Sequence, residues 1–207
     1  MKQLLIATTN PAKINELSQY LTPLTDSGVK LITLSDLQIR EEPEETGNTI
    51  QENALIKARF YSKKSNLPAL ADDGGFVIDA LNGEPGVKSN RWLGYKASDE
   101  ELITYTLERL DGIPVEQRTA SLELCLCLVH PNNPEPICVT THISGSIATE
   151  PNAHYPPGFP FRALLKIDRY DKYYDQLTQE EHEAVNHRKQ AVEKLLPSLM
   201  KVIVEGA

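Results

Sequence analysis

No stretch of the 207-residue chain approaches the roughly 18 consecutive apolar residues of a membrane-spanning helix. The opening MKQLLIATTN has too short an apolar stretch for a signal peptide. Positive charge is also scarce: 21 Lys and Arg face 29 Asp and Glu, a formal net charge of -8. That balance argues against general binding to nucleic acid or to a membrane surface. It leaves room for an anionic small substrate, because a local pocket can concentrate cations. Low-complexity tracts, internal repeats and linkers are missing as well. These absences lead to the expectation of a cytoplasmic globular protein with no nucleic-acid and no membrane partner. Cysteines number three, Cys125, Cys127 and Cys138, which fits a reducing compartment. A cluster of Cys125, Cys127, His130, Cys138 and His142 matches none of the usual zinc spacings. LELCLCLV reads instead as a buried strand with core cysteines.

What is present is enough for one domain with a full core: 40% of the residues are hydrophobic. KQLLIA reads as a buried strand, TTNPAK as a turn, and AKINELSQYL as a helix with Pro11 in its first turn. VKLITL is a second strand, and REEPEETGN an acidic loop. A strong helix runs from Thr49 through TIQENALIKARFYSKKS. LPALA predicts a strand, DDGG a turn, and FVIDAL a further strand. Residues 98 to 110 carry a capping box, Ser98 with Glu101. Two β runs, roughly 119 to 130 and 136 to 148, form a hairpin. Thr178 with Glu181 caps another helix, and NHRKQAVEKLLPSLMKVI closes the chain, with Pro197 bending or ending it. Strands alternating with helices around a long hairpin predict an α/β fold with a mixed sheet, one domain over 1–207 with a smaller lobe around the hairpin.

Four places can carry chemistry. A strand-to-helix turn offers free backbone N–H groups to phosphate, and Thr8, Thr9, Asn10 and Lys13 add donors and charge there. It lacks the glycines of a Walker loop and is equally a capped surface helix. The carboxylates Glu41 to Glu45 suit a solvated loop, while Asn53 on an apolar helix face wants a partner, which a neighbouring loop would supply. Asp72 and Asp73 end an apolar run before two glycines; paired carboxylates suit Mg²⁺ or water activation, and also an ordinary Asp-Gly turn. Asn186-His187-Arg188 starts a helix with two donors that can reach a phosphate or a carbonyl.

In order and spacing, IATTNPAKINEL, ETGNTIQENALIKA, LADDGGFVIDALNGEPGVKSNR and NHRKQAVEKL resemble the inosine/xanthosine triphosphate pyrophosphatase family over about residues 4 to 196. The resemblance implies an elongated, two-lobed α/β fold with the active site in the cleft between the lobes, a homodimer, and Mg²⁺. It implies hydrolysis of deaminated purine nucleoside triphosphates to the monophosphate and pyrophosphate. By the same resemblance Thr8, Thr9, Asn10 and Lys13 hold phosphate. Glu45, Asp72 and Asp73 associate with the metal, and Asp73 activates water, with Lys13 beside it in catalysis. Gly74, Ser89 and Arg91 lie by the substrate, and His187 and Arg188 read the purine.

The chain departs from the family pattern on the base side. The family's GFGYDPIF is matched by GFPFRALL, so Phe159 remains to stack on a base, but Pro160 stands for a glycine and Arg162 for an aspartate. His182 replaces a lysine, and Gly74 a serine. The departures favour, as an alternative, a sister enzyme with another base preference; a nucleotide-binding protein without turnover is a further alternative, against which the retention of Asp73, Glu45 and Lys13 argues.

Overall fold

A computed structural model describes residues 2–205. Its strands are β1 (Lys2–Ile6), β2 (Val29–Thr33), β3 (Ala69–Ile78), β4 (Pro85–Gly86), β5 (Thr119–His130), β6 (Asn133–Ile147), β7 (Leu165–Ile167) and β8 (Lys172–Tyr173). Its helices are α1 (Pro11–Tyr20), α2 (Thr22–Asp26), α3 (Ile50–Ser65), α4 (Asp99–Arg109), α5 (Gln179–Val185) and α6 (His187–Leu199). The strands join one mixed sheet in the order β2-β1-β3-β5-β6-β7-β8, with β4 paired to β3. β1 runs parallel to β2 and to β3, whereas β7 is antiparallel to β6 and to β8. The expected α/β class and mixed sheet are therefore present.

The chain divides into two compact units: Met1–Asp73, Leu124–Thr141 and His187–Ala207 form one, and Gly74–Glu123 with His142–Asn186 the other. The hairpin β5–β6 belongs to both rather than defining a lobe of its own. Each unit has its own core. In the first, Leu4, Ile6, Leu70, Leu124, Leu126 and Leu128 meet Leu17 of α1 and Ala191, Val192 and Leu195 of α6. In the second, Phe76 stacks on Phe161 with ring centroids 4.8 Å apart, among Leu102, Ile147 and Leu165. Burying one such leucine contributes about 1.5–3 kcal/mol.

Local signals explain most boundaries. Thr49, Ser98 and Thr178 each close a capping box, with Glu52, Glu101 and Glu181. Two boundaries differ from the sequence reading. DDGG is not a turn: β3 runs unbroken from Ala69 to Ile78. Gly75 is required for close approach, because a Cβ there would lie 2.5 Å from the Gly86 carbonyl oxygen of β4. Nor does Pro197 end the last helix. α6 continues to Leu199 and passes into a π-helical turn, Met200–Glu205.

The cysteines also differ from three separate core thiols. Cys127 of β5 and Cys138 of β6 are cross-strand neighbours with Cα atoms 4.2 Å apart, and they form a disulfide. Cys125, two residues along the same face, is buried with its sulfur 3.8 Å from that of Cys127. His130 and His142 take no part in this sulfur group.

Candidate active site

Consecutive residues of a strand point to opposite faces of the sheet. This explains what two adjacent aspartates do in β3. Asp72 shares its face with Leu70, the face that α1 and α6 cover. There its carboxylate meets Lys13 of α1 at 3.0 Å and Arg188 of α6 at 3.2 Å. Asp73 turns the other way and meets Lys57 of α3 at 2.6 Å. Lys57 also reaches Glu45, 3.2 Å away in the loop before α3. Arg188 completes a second pair with Glu16 of α1. Seven charged side chains, all in the first unit, thus form two linked groups on either side of one strand.

The groups differ in character. Asp72 has a fully buried side chain. Burial alone would raise its pKa, but Lys13 and Arg188 outweigh burial and hold the carboxyl well below the usual carboxylate range. Asp72 is therefore an anion near neutral pH. Arg188 is held charged against burial by Asp72 and Glu16. For Asp73 burial prevails: it raises the carboxyl above its ordinary value, Lys57 opposes this, and Glu45 adds to it. A carboxylate of raised pKa is a better proton acceptor than Asp72. Lys57, in turn, resists the effect of its own burial through Asp73 and Glu45.

The turn after β1 is built as its sequence suggests. The Asn10 side chain caps α1, accepting from the Ala12 and Lys13 amides at 2.9 and 3.4 Å. The Thr8 hydroxyl accepts the Asn10 amide at 3.3 Å, and the Thr9 hydroxyl lies 3.5 Å from a Glu42 carboxylate oxygen. Thr8 and Thr9 line a cleft of about 710 Å³ that continues past Ile14 and Leu34 to Ser35 and Arg40. Asn53 accepts the Gly47 amide at 2.8 Å, the structural role considered for it. A Cβ on Gly47 would strike that same oxygen at 2.5 Å, so the EETGN loop carrying Glu45 can be drawn against α3 only through a glycine.

Whether this first-unit site suits Mg²⁺ can be asked of its oxygen donors. Glu45 and Asp73 are hard carboxylate ligands already arranged around one cation, the Lys57 ammonium, and Glu45 is half exposed. Mg²⁺ is commonly held by one or two carboxylates, with waters and substrate phosphates completing the octahedron. The pair fits that pattern. Asp72, named with them from the family resemblance, meets both Lys13 and Arg188 through Oδ2, while its buried Oδ1 has no hydrogen-bond partner and stays available as an oxygen donor.

Other expected site residues lie apart from this cluster in role. Ser89 ties the loop after β4 to β3, accepting the Phe76 amide and donating to the Gly86 carbonyl. Gly74 is an exposed position of β3, and Arg91 is exposed at the end of a 3₁₀ turn. The His187 carbonyl accepts from Thr141 at 2.8 Å. In the second unit Phe159, Arg162 and His182 come together around Tyr174: the Arg162 guanidinium lies 5.0 Å from the Phe159 ring and 4.7 Å from that of Tyr174, and His182 is 5.0 Å from Tyr174. Arg162 pairs with Asp175.

Sequence reasoning missed Lys57, Glu16 and Asp175. Lys57 had a signal: it lies four residues beyond Asn53, on the stripe of α3 that buries Ala54, Ala58 and Tyr61. A lysine so placed needs an anion.

The chain is similar to known proteins over nearly its whole length. The model of the Ham1 family matches residues 4–198. The dITP/XTP pyrophosphatase of Bacillus subtilis is 38% identical over 195 residues, 94% of this chain and 96% of its own. That of Mycobacteroides abscessus is 39% identical over 208 residues, 99% of this chain and 98% of its own. The solved structure of a HAM1 protein from Coxiella burnetii superimposes with a TM-score of 0.84 at 35% identity, covering 97% of this chain and all of that one.

Proposed function

This chain belongs to the Ham1 family, and from that premise we propose that it hydrolyses non-standard purine nucleoside triphosphates, ITP, dITP and XTP, to the monophosphate and pyrophosphate. The observation that carries the reading is the pair of neighbouring aspartates with opposite electrostatics, Asp72 held ionised by Lys13 and Arg188, Asp73 raised by burial beside Lys57. A bond between two phosphoryl groups asks little of a protein beyond position and charge. Lys13, the first turn of α1 and the hydroxyls of Thr8 and Thr9 hold the triphosphate. Asn10 keeps that turn in place. Asp73 takes the proton from the attacking water as the α–β anhydride opens, and pyrophosphate leaves. Arg188 and Asp72 fix Lys13 between turns of reaction. Glu45 and Asp73 would hold Mg²⁺, which neutralises phosphate charge. His187 and the residues around Tyr174 are assigned to the base, with Ser89 shaping the loop that bears Arg91.

The same reading makes the protein a cytoplasmic homodimer with no nucleic-acid or membrane partner. No helix among the described residues is long and apolar enough to cross a membrane. Light scattering checks the dimer.

The deciding experiment is pyrophosphate release, with Mg²⁺, from ITP, XTP, dITP, GTP, ATP and the pyrimidine triphosphates. Preference for the first three by orders of magnitude is expected. Preference for another nucleotide would make this a sister enzyme, and nucleotide binding without turnover would sink the hydrolase reading.

A further inference from the structure

Cys125, Cys127 and Cys138 take no part in the chemistry above, yet they form a group. All three belong to the first unit. Cys125 and Cys127 are two residues apart on β5 and so share one face of the sheet. Cys138 reaches the same place from β6, as the cross-strand neighbour of Cys127. The three sulfurs lie within 4.8 Å of one another. Cys125 and Cys127 are buried and Cys138 is half-buried, so the group meets solvent at Cys138. Among the described residues no His, Asp or Glu joins them. Zinc spacings read along a chain suit knuckles and loops. Here the pairing of two strands gathers the ligands, which a spacing rule does not see.

A disulfide plus a thiol is one of two states open to three cysteines. Under reducing conditions a small thiol opens the Cys127–Cys138 bond. Two such thiols give up two electrons and two protons and leave as their own disulfide, and Cys127 and Cys138 become thiols. Three thiols then face one another. Two thiolates on a tetrahedral Zn²⁺, each about 2.3 Å from the ion, lie about 3.8 Å apart. The Cys125 and Cys127 sulfurs already stand 3.8 Å apart. One edge of the tetrahedron is thus preformed, and Cys138, once released from Cys127, supplies a third corner. Charge favours a divalent ion over a soft monovalent one such as Cu⁺. Asp72 and Asp73, on the neighbouring strand β3, act on the Cys125 thiol as negative charges. Three thiolates beside them are better compensated by two positive charges than by one.

We propose that the reduced protein binds one Zn²⁺ through Cys125, Cys127 and Cys138, with a water or an external thiol in the fourth position, on the Cys138 side. Binding releases the three thiol protons. The ion ties β5 to β6 when the disulfide is open, so the hairpin is cross-linked in either redox state. The site is independent of the hydrolase reading.

The test uses the full chain, reduced with dithiothreitol and freed of it without air. It is titrated with Co²⁺, a coloured stand-in, and with Zn²⁺ against a chromophoric chelator. Sulfur-to-cobalt charge transfer reports thiolate ligands and is blind to the carboxylates Glu45 and Asp73. One equivalent of Co²⁺ should give that band, Zn²⁺ should displace it, and the oxidised protein should give none. Cys125→Ser should weaken Zn²⁺ binding by more than the roughly hundredfold that loss of an outer-shell partner can cost. Zn²⁺ should also raise the Tm of the reduced wild type more than that of Cys125→Ser. A reduced protein without the band overturns the proposal. So does a band that Cys125→Ser leaves intact, since two thiolates then suffice. Uptake of Cu⁺ with no uptake of Zn²⁺ overturns the choice of ion. If Cys125→Ser fails to fold, Cys138→Ala, at the half-buried position, takes its place, and a band that survives there overturns the site.

Discussion

The charged cluster of the first unit and the Arg162–Asp175 pair of the second solve the same problem in different ways. Both bury carboxylates beside cations. In the first unit three cations, Lys13, Lys57 and Arg188, are shared among four carboxylates, Glu16, Glu45, Asp72 and Asp73. Each cation but Lys13 touches two carboxylates, so removing one contact leaves another. In the second unit one arginine serves one aspartate, and aromatic rings take the place of further charges. A shared network can exchange partners when one contact is lost. An isolated, clamped pair has no second partner to exchange.

Substitutions can break that contrast. The largest effect is expected from Asp73→Asn, which removes the proton acceptor and keeps the shape. Pyrophosphate release should fall by about a thousandfold or more, with an unchanged melting curve. Full activity would remove Asp73 from the mechanism.

Next comes Asp72→Asn, which leaves Arg188 buried with Glu16 alone. Urea unfolding should report a loss of about 3–5 kcal/mol near neutral pH. The sign of its pH dependence follows from the depressed folded-state value of Asp72. Its stabilisation is complete above the unfolded carboxylate value of about 3.9 and is lost as pH falls below it. The gap between wild type and variant should therefore close in acid; a gap that widened there would contradict the assignment.

Lys57→Met sharpens the contrast within the first unit. Without Lys57 the Asp73 carboxyl is raised further, so the acid limb of the pH–rate profile should move to higher pH. An unmoved limb would mean that another group titrates there. The smallest effect on stability is expected from Arg162→Met/Asp175→Leu. Replacing a whole buried pair by apolar groups is often close to neutral, within about 1 kcal/mol by thermal unfolding.

Much of the fold was legible in the sequence because its signals are local. Three capping boxes, the Pro11 start of α1 and the two long β runs each depend on residues within a few positions of one another. Double glycine was misleading because glycine serves both turns and close approaches, and only the distant Gly86 backbone shows which applies at Gly75. The same limit governs the site. Lys13, Asp72, Asp73 and Arg188 could be nominated from order and spacing, but their pairing could not. Which cation faces which aspartate depends on the helices covering each side of β3. Asp175 was invisible for a related reason: nothing in YYDQL announces a partner in another turn. The cross-strand bond of Cys127 and Cys138 likewise depends on how β5 and β6 are paired.

One contact has a wider consequence. Lys13 neutralises an anion of its own chain, Asp72, at 3.0 Å. The turn after β1 therefore behaves like an ion-exchange resin supplied in a loaded form. An incoming anion must outbid a carboxylate tethered to the matrix. Chloride and single phosphate groups have little with which to do so, whereas a triphosphate brings several negative charges at once. Were Lys13 to pass to a phosphate, as proposed above, Arg188 would stay with Asp72, so the matrix would not be stripped bare. Selectivity for polyanions over the common salts of a cell would then begin before any base is recognised.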